Sequence, residues 1–268
     1  MKAIIFSVGL LFTSSAAFGS DSINWNGFYV GAFGAATSLD VRSDASARPG
    51  ELGAGIGAGQ AADAMAATMT YARRDTNAEI NPGLYAGYQW QHGSFVVGLE
   101  ADLQRGGSLK QTGDNRVKLR SFSNVQSYEY AHQFDLEYIS TLMGRLGYAD
   151  KNWLVYVTGG LAHGRVSSSL DSYGPLDGPV APQPIFLRQN TFDEFSKSGW
   201  IVGIGGEVSL TSRLRLRTEL VHFDLGDVRS LSQSKILHEN GDLFASAVGE
   251  VDSKLSGTAI RVGLNYAF

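Results

Sequence analysis

The chain is 268 residues long, carries a formal net charge of −4 and contains no cysteine. These facts exclude disulfides and thiol chemistry, and they remove the electrostatic case for nucleic acid as a partner. The 33 glycines and the many aromatic residues suit an antiparallel barrel with aromatic girdles, and they suit other all-β folds too.

The N-terminus has three parts: a basic start at Lys2, an apolar stretch from Ala3 to Phe12, and the small-residue site Ala17-Phe18-Gly19. That order is a secretory signal peptide over residues 1–19, cleaved after Gly19 or alternatively after Ala17. Its apolar stretch is too short to span a membrane as a helix, and no later stretch is apolar and uncharged for about 18 residues. Export without a helical anchor leaves the periplasm, secretion or an outer-membrane barrel, with residues 20–268 as one domain.

Eight strands are expected along that domain. The first is Trp25 to Ala36, whose two faces are poorly distinguished. Residues 38–81 form a long connection with a Gly/Ala tract and a short helix from Gln60 to Arg74. Pro82 opens the second strand, which runs to Gln91; the turn His92-Gly93-Ser94 leads to Phe95–Gln104. There Val97, Leu99 and Leu103 oppose Gly98, Glu100 and Asp102. A polar connection over 105–133 precedes Phe134–Tyr148, and a turn at Ala149–Asn152 precedes Trp153–Val166. Residues 167–197 hold Pro175, Pro179, Pro182 and Pro184, a density that speaks against central strands. Gly199–Leu210 and Arg213–Leu225 flank the turn Thr211-Ser212, and residues 226–256 form a polar loop.

The last strand, Gly257 to Phe268, alternates most strictly. Thr258, Ile260, Val262, Leu264, Tyr266 and Phe268 take one face; Ala259, Arg261, Gly263, Asn265 and Ala267 take the other. Connections alternate long and short along the whole chain. A soluble sandwich has no reason for that segregation, whereas an outer-membrane barrel places short turns in the periplasm and long loops outside. A barrel in lipid also needs a closing strand, because an open edge would leave backbone groups without partners.

The segments WNGFYVG at 25–31, GRLGYA at 144–149, VYVTGGLAHG at 155–164, GWIVGIGGEVSL at 199–210, RTELVHFDLG at 217–226 and the terminal RVGLNYAF recur in order. Together they resemble the small outer-membrane β-barrel family of α-proteobacteria, the opacity-like, OmpA/OmpX-type proteins described as outer-membrane immunogenic or porin-family proteins. The resemblance implies an all-β, eight-stranded antiparallel transmembrane β-barrel surrounded by outer-membrane lipids. It implies assembly by the barrel-insertion machinery, with Leu264, Tyr266 and Phe268 matching the C-terminal recognition pattern. It also implies that no peptidoglycan-binding domain follows the last strand, and it leaves host or envelope ligands to the loops.

The candidate site is the inward face. Glu100, Asp102, Glu137, Glu207 and Glu219 stand there with Arg145, Arg165, Arg215, Arg217 and Arg261. An eight-stranded barrel is just wide enough for side chains to fill, so a salt-bridge network closing the lumen is expected; a charged constriction in a pore is the alternative. Trp25, Trp90, Trp153 and Trp200 are expected as interfacial anchors. His92, His132, His163, His222 and His238 have no metal-ligand spacing, and nothing selects one of them as a haem ligand. A lipid-modifying enzyme would need a nucleophile such as Ser167, Ser168 or Ser169 near His163, and no nucleophile motif surrounds them. The tract Gly53 to Gly59 lacks the Gly-Lys-Ser/Thr of a phosphate loop. No catalytic, cofactor or metal site is expected. The sequence favours a structural, surface-exposed envelope protein, with a small-solute porin and a lipid-modifying enzyme as alternatives.

Overall fold

A computed structural model describes residues 23–53, 58–117, 126–176, 185–237 and 242–268. The expected signal peptide, residues 54–57 of the Gly/Ala tract, three of the loop prolines (Pro179, Pro182 and Pro184) and His238 lie outside the described residues.

The elements in chain order are β1 (Gly27–Leu52), α1 (Ala58–Met69), β2 (Tyr71–His92), β3 (Phe95–Arg105), β4 (Ser108–Val117), β5 (Gln126–Asp150), β6 (Trp153–Leu176), β7 (Ile185–Ser209), β8 (Leu214–Leu237) and β9 (Leu243–Ala267). All pairings are antiparallel between sequence neighbours or between β1 and β9, and β3 also pairs with β5. That extra pairing closes a ring of eight strand positions. β3 and β4 occupy one position between them, both laddered to β5 and interrupted at Gly106-Gly107. Gly106 is needed there because a Cβ would lie 1.7 Å from the Leu136 carbonyl oxygen.

The register fixes the shape. From Tyr29, partners lead through Gly87, Glu100, Met143, Gly160, Ile201, Phe223 and Gly257 back to β1 at Leu39, ten residues further along. That stagger is the shear of a closed barrel with tilted strands. β1 has a settled register: Tyr29, Phe33, Ala35 and Leu39 point in, and Phe28 and Val30 point out.

At the short-turn end the outer surface is apolar. Leu84, Val97, Leu146, Val157, Ile204 and Val262 are among the exposed large side chains. On β7 this belt runs from Val208 to Trp200, close to the roughly 9–11 tilted residues that cross a hydrocarbon core.

The strands are far longer than that. β5 has 25 residues. At ~3.3 Å per residue that is ~80 Å of strand. With a tilt of ~40° it stands ~60 Å tall, about twice a bilayer's apolar thickness. The expected long loops at 38–81, 105–133, 167–197 and 226–256 are therefore mostly strand, and Pro175 pairs with Phe186 at a hairpin tip. Outside hydrocarbon the outward residues become polar, so the apolar-out alternation that reveals a membrane strand vanishes while the strand continues. The expected helix is present but shifted, with Ala58, Ala62 and Ala66 packed on Phe244, Ala245 and Ala247 near the tips of β1 and β9.

Beyond the belt the ring divides. The β7–β8 ladder stops at Trp200–Asp224, and the β2–β3 ladder stops at Gly83–Gln104 without a successor between β2 and β4 among the described residues. Pro82, which lacks an N–H, stands where the second of these ladders ends. Two four-stranded sheets therefore rise from the ring, β4-β5-β6-β7 facing β8-β9-β1-β2. Their inner faces are apolar: Leu39, Val41, Leu255 and Leu225 meet Leu136 and Val166.

Candidate functional site

The centre of the ring holds a buried charged cluster. Inward positions on six strand positions converge because every second residue of a barrel strand points inward. Glu100 on β3 is the hub. Arg217 donates to both of its oxygens at 2.7 Å, and the Tyr29 hydroxyl donates to Oε2 at 2.7 Å. Arg145 reaches Glu100 Oε2 at 3.4 Å and gives a 2.6 Å bond to Glu207. Asn265 donates to the other Glu207 oxygen at 3.0 Å.

A second branch runs toward the belt's upper edge. Arg217 lies 3.0 Å from Glu219, and Arg261 bridges Glu219 at 3.6 Å and Asp102 at 2.9 Å. Arg261 also donates to Gln104, which donates to Thr37. Four carboxylates thus face four guanidiniums, counting Arg215. That residue has no carboxylate contact and instead donates to the Asn24 carbonyl at 3.1 Å.

Aromatic rings sheathe the guanidiniums. Arg145 sits 3.8 Å from the Tyr156 centroid, Arg217 4.5 Å from Tyr85, Arg261 4.8 Å from Phe33 and Arg215 4.3 Å from Trp25. Several rings lie over glycines of the next strand: a Cβ on Gly205 would be 2.5 Å from the Tyr156 ring, and one on Gly31 would be 2.4 Å from Tyr85. These glycines let flat rings fill the bore. The cavity among Phe33, Tyr85, Glu100, Arg217, Glu219 and Arg261 is about 10 Å³, at the threshold for a single water.

Of the ten charged residues expected inside, eight are buried there, and Glu137 and Arg165 are not. Their side chains are 40% and 43% exposed, and Arg165 pairs with Glu137 and Glu194 on the outer wall. A bulge between Leu136 and Tyr138 turns Leu136 inward and Glu137 out; Arg165 shares the parity of the outward Val155 and Val157. Trp25 also departs from expectation. It is 1% exposed, stacked on Arg215 and packed with Val96, Ala149 and Leu154, so it stoppers the short-turn mouth rather than anchoring at an interface. Trp90 and Trp200 face outward at the two edges of the belt, and Trp153 contacts Tyr148.

The tyrosines that complete the cluster, Tyr29, Tyr85 and Tyr156, escaped the sequence reading. Their inward parity was the available signal. His163 bonds Ser198 at 2.9 Å and His222 bonds Thr258 at 2.9 Å, both on neighbouring strands. Among the described residues no group of three His, Asp or Glu is placed to hold a metal ion.

The sequence model for the outer membrane protein beta-barrel domain matches residues 4–268. The 31 kDa outer-membrane immunogenic protein of Brucella melitensis is 30% identical over 188 residues, covering 69% of this chain and 65% of that protein. The 22 kDa outer membrane protein of Rhizobium leguminosarum bv. viciae is 28% identical over 142 residues, 53% of this chain and 50% of its own. Alignments to these relatives therefore span less than two thirds of their length. Among solved structures, OprG of Pseudomonas aeruginosa aligns with a TM-score of 0.41 at 12% identity, covering 91% of this chain and 96% of OprG. A likeness that distant carries no inference about activity.

Proposed function

This chain belongs to the outer membrane protein beta-barrel domain family, and from that premise we propose that its ring is a closed structural element carrying a surface-exposed display of strands. The protein is an outer-membrane barrel with a surface and structural place in the envelope, and its relatives are named as an outer-membrane immunogenic protein and an outer membrane protein. Short turns and both ends of the barrel domain then face the periplasm, and the two tall sheets face outside.

One observation carries the closed reading: four carboxylates and four guanidiniums pack across the bore, and the cavity at Glu100, Arg217, Glu219 and Arg261 is about 10 Å³. A solute path would require those pairs to part inside a low-dielectric wall, where separating a pair leaves an uncompensated charge. The outward Leu264 and Tyr266 of β9, with the exposed Phe268 just beyond it, support recognition by the insertion machinery. Trp90, Trp153 and Trp200 support anchoring at the edges of the belt, residues 1–19 serve as the cleaved export signal, and any host or envelope ligand would meet the hairpin tips.

The test is conductance of the refolded protein in a planar bilayer, with folding checked by heat-dependent gel migration. A silent bilayer is expected. Regular, voltage-tolerant steps would replace the closed reading with a small-solute porin.

A further inference from the structure

We propose that the open edge of β8 docks on the same edge of a second copy of this chain, seated in a facing membrane, the two strands pairing antiparallel about Leu231.

The backbone supplies the edge. β8 loses its ladder with β7 at Trp200–Asp224, where the two strands part at a seam, and keeps its ladder with β9 from Asp227 to Leu237. The parting has a local cause. Gly226 adopts φ 76° and its N–H donates to Asp224 at 2.8 Å, producing a bulge between Asp224 and Asp227 that re-aims β8. Above it, the far edge of β8 has no strand partner among the described residues. The stretch from Asp227 to Leu237 holds neither proline nor glycine, so every N–H on that edge can join a ladder. An open edge of this kind is a template for another strand.

The side chains select the strand. Asp227, Arg229, Leu231, Gln233 and Lys235 alternate along the outward face, and all are exposed. Turned antiparallel about Leu231, this row meets itself. Asp227 opposes Lys235 of the second copy, Arg229 opposes Gln233, and the two leucines, each 71% exposed alone, cover one another. The two-fold axis repeats the acid–base pair on its other side. Asp227 and Lys235 are available for it. Lys254 stands opposite Asp227 on β9, but its ammonium is 3.1 Å from Asp224, and neither Asp227 nor Lys235 has an ion pair among the described residues. Arg229 is held by Glu250 and Asp252. Moving the centre to Ser232 would set Arg229 against Lys235, so charge specifies the register that the backbone leaves open.

Direction places the second copy. β8 leaves every ring the same way, so neighbours in one membrane present it in parallel. Antiparallel pairing needs a two-fold axis in the membrane plane, and the second copy then hangs from a facing bilayer. A tilted strand climbs about 18 Å from Asp224 to Leu231, which sets the two belts about 35 Å apart. The outer sheets, standing about 30 Å above the belt, fit that gap. One strand pair is a small interface, and many copies on two surfaces supply the strength. The inference rests on the outward placement of the sheets and is independent of the closed bore.

The experiment uses the full barrel refolded into phosphatidylcholine vesicles, with a donor lipid dye in one population and an acceptor in the other. Association is read by energy transfer at low salt, where exposed charges are least screened. Protease added outside should cut the tall hairpins; hairpins that stay protected would overturn the outward placement and the proposal with it. Wild-type vesicles should associate with wild-type vesicles. The double variant Asp227→Lys/Lys235→Asp keeps the net charge and should associate with itself equally, because acid again meets base. Wild-type vesicles set against double-variant vesicles should associate about tenfold less, since like charges then face each other at both pairs. Heat-dependent gel migration checks that both proteins are folded. Absence of wild-type association with the hairpins cut would overturn the docking edge, and equal association in all three mixtures would overturn the antiparallel register.

Discussion

Follow β1 from one end to the other and its two faces exchange character. In the ring, Tyr29 and Phe33 point into a polar core while Phe28 and Val30 point out. In the outer sheet, Leu39 and Val41 point in while Asp40 and Arg42 point out, and Asp40 pairs with Arg74 on β2. The same strand, with the same period of two, builds an inside-out protein below and an ordinary one above. The change of solvent explains it: hydrocarbon outside the ring forces charge inward, and water outside the sheets lets charge leave. It also explains the ladders. In lipid an unpaired backbone group has no partner, so each seam of the ring must be closed. In water the constraint lifts, and two ladders end at the top of the belt, at Trp200–Asp224 and Gly83–Gln104. The second gap is spanned instead by side chains, Asn77 donating to the Ser108 carbonyl and Glu79 accepting from the Ser108 N–H.

The sharpest way to break this comparison is to remove a charge from the ring. Arg217→Ala leaves Glu100 and Glu219 buried without their main partner. The expected cost is about 3–5 kcal/mol, seen as a lower urea midpoint for loss of heat-dependent migration. An unchanged midpoint would mean that the bore tolerates free charge, and the closed-core account would be wrong. In the outer half the corresponding change is apolar. Leu225→Ala should cost about 2–4 kcal/mol, read as faster proteolysis of the tall hairpins with the ring's gel migration kept. Loss of both together would show that ring and sheets unfold as one unit.

A smaller effect tests the ring's packing rather than its charge. Gly205→Ala puts a methyl 2.5 Å from the Tyr156 ring and 2.9 Å from the Thr218 carbonyl oxygen. The ring can shift but the carbonyl cannot, so a loss of about 1–3 kcal/mol in the urea midpoint is expected. Gly34→Ala, where a Cβ meets nothing within 4 Å, should be close to neutral.

The same contrast decides what was legible beforehand. Membrane strands announce themselves by apolar outward residues, so Phe95–Gln104 could be read almost to the residue and the terminal strand only over its membrane part from Gly257, not over its extension from Leu243. Their extensions carry the inverse pattern. Leu39-Asp40-Val41-Arg42 alternates as strictly as the ring does, but with apolar residues meant for the inside, and a search for an apolar outer face passes over it. Glu137 was misplaced because a bulge changes parity without changing composition. Trp25 was misplaced because an aromatic at a strand end fits either a girdle or a stopper; only Arg215, distant in sequence, decides which.

The slightest predicted effect lies where the two halves meet. Asp224 closes the last rung of the β7–β8 ladder. Partial burial opposes ionisation of its carboxyl, but the Gly226 N–H and the Lys254 ammonium outweigh it, holding the group below the usual carboxylate range. A depressed native pKa adds stability that is present above the unfolded value of about 3.9 and is lost as pH falls through the native one. Because the ion pair is open to solvent, the contribution is at most about 1 kcal/mol. Acid should therefore loosen the base of the seam before it affects the ring. Hydrogen exchange at Trp200 and Ile201, corrected for the intrinsic pH dependence of exchange, should quicken below about pH 4, and Asp224→Asn should remove that pH step while leaving Gly205 and Glu207 protected. If protection at Trp200 proves independent of pH in both proteins, the seam's lower end is held by the backbone ladder alone, and the change of solvent at the belt's edge needs no ionic clasp.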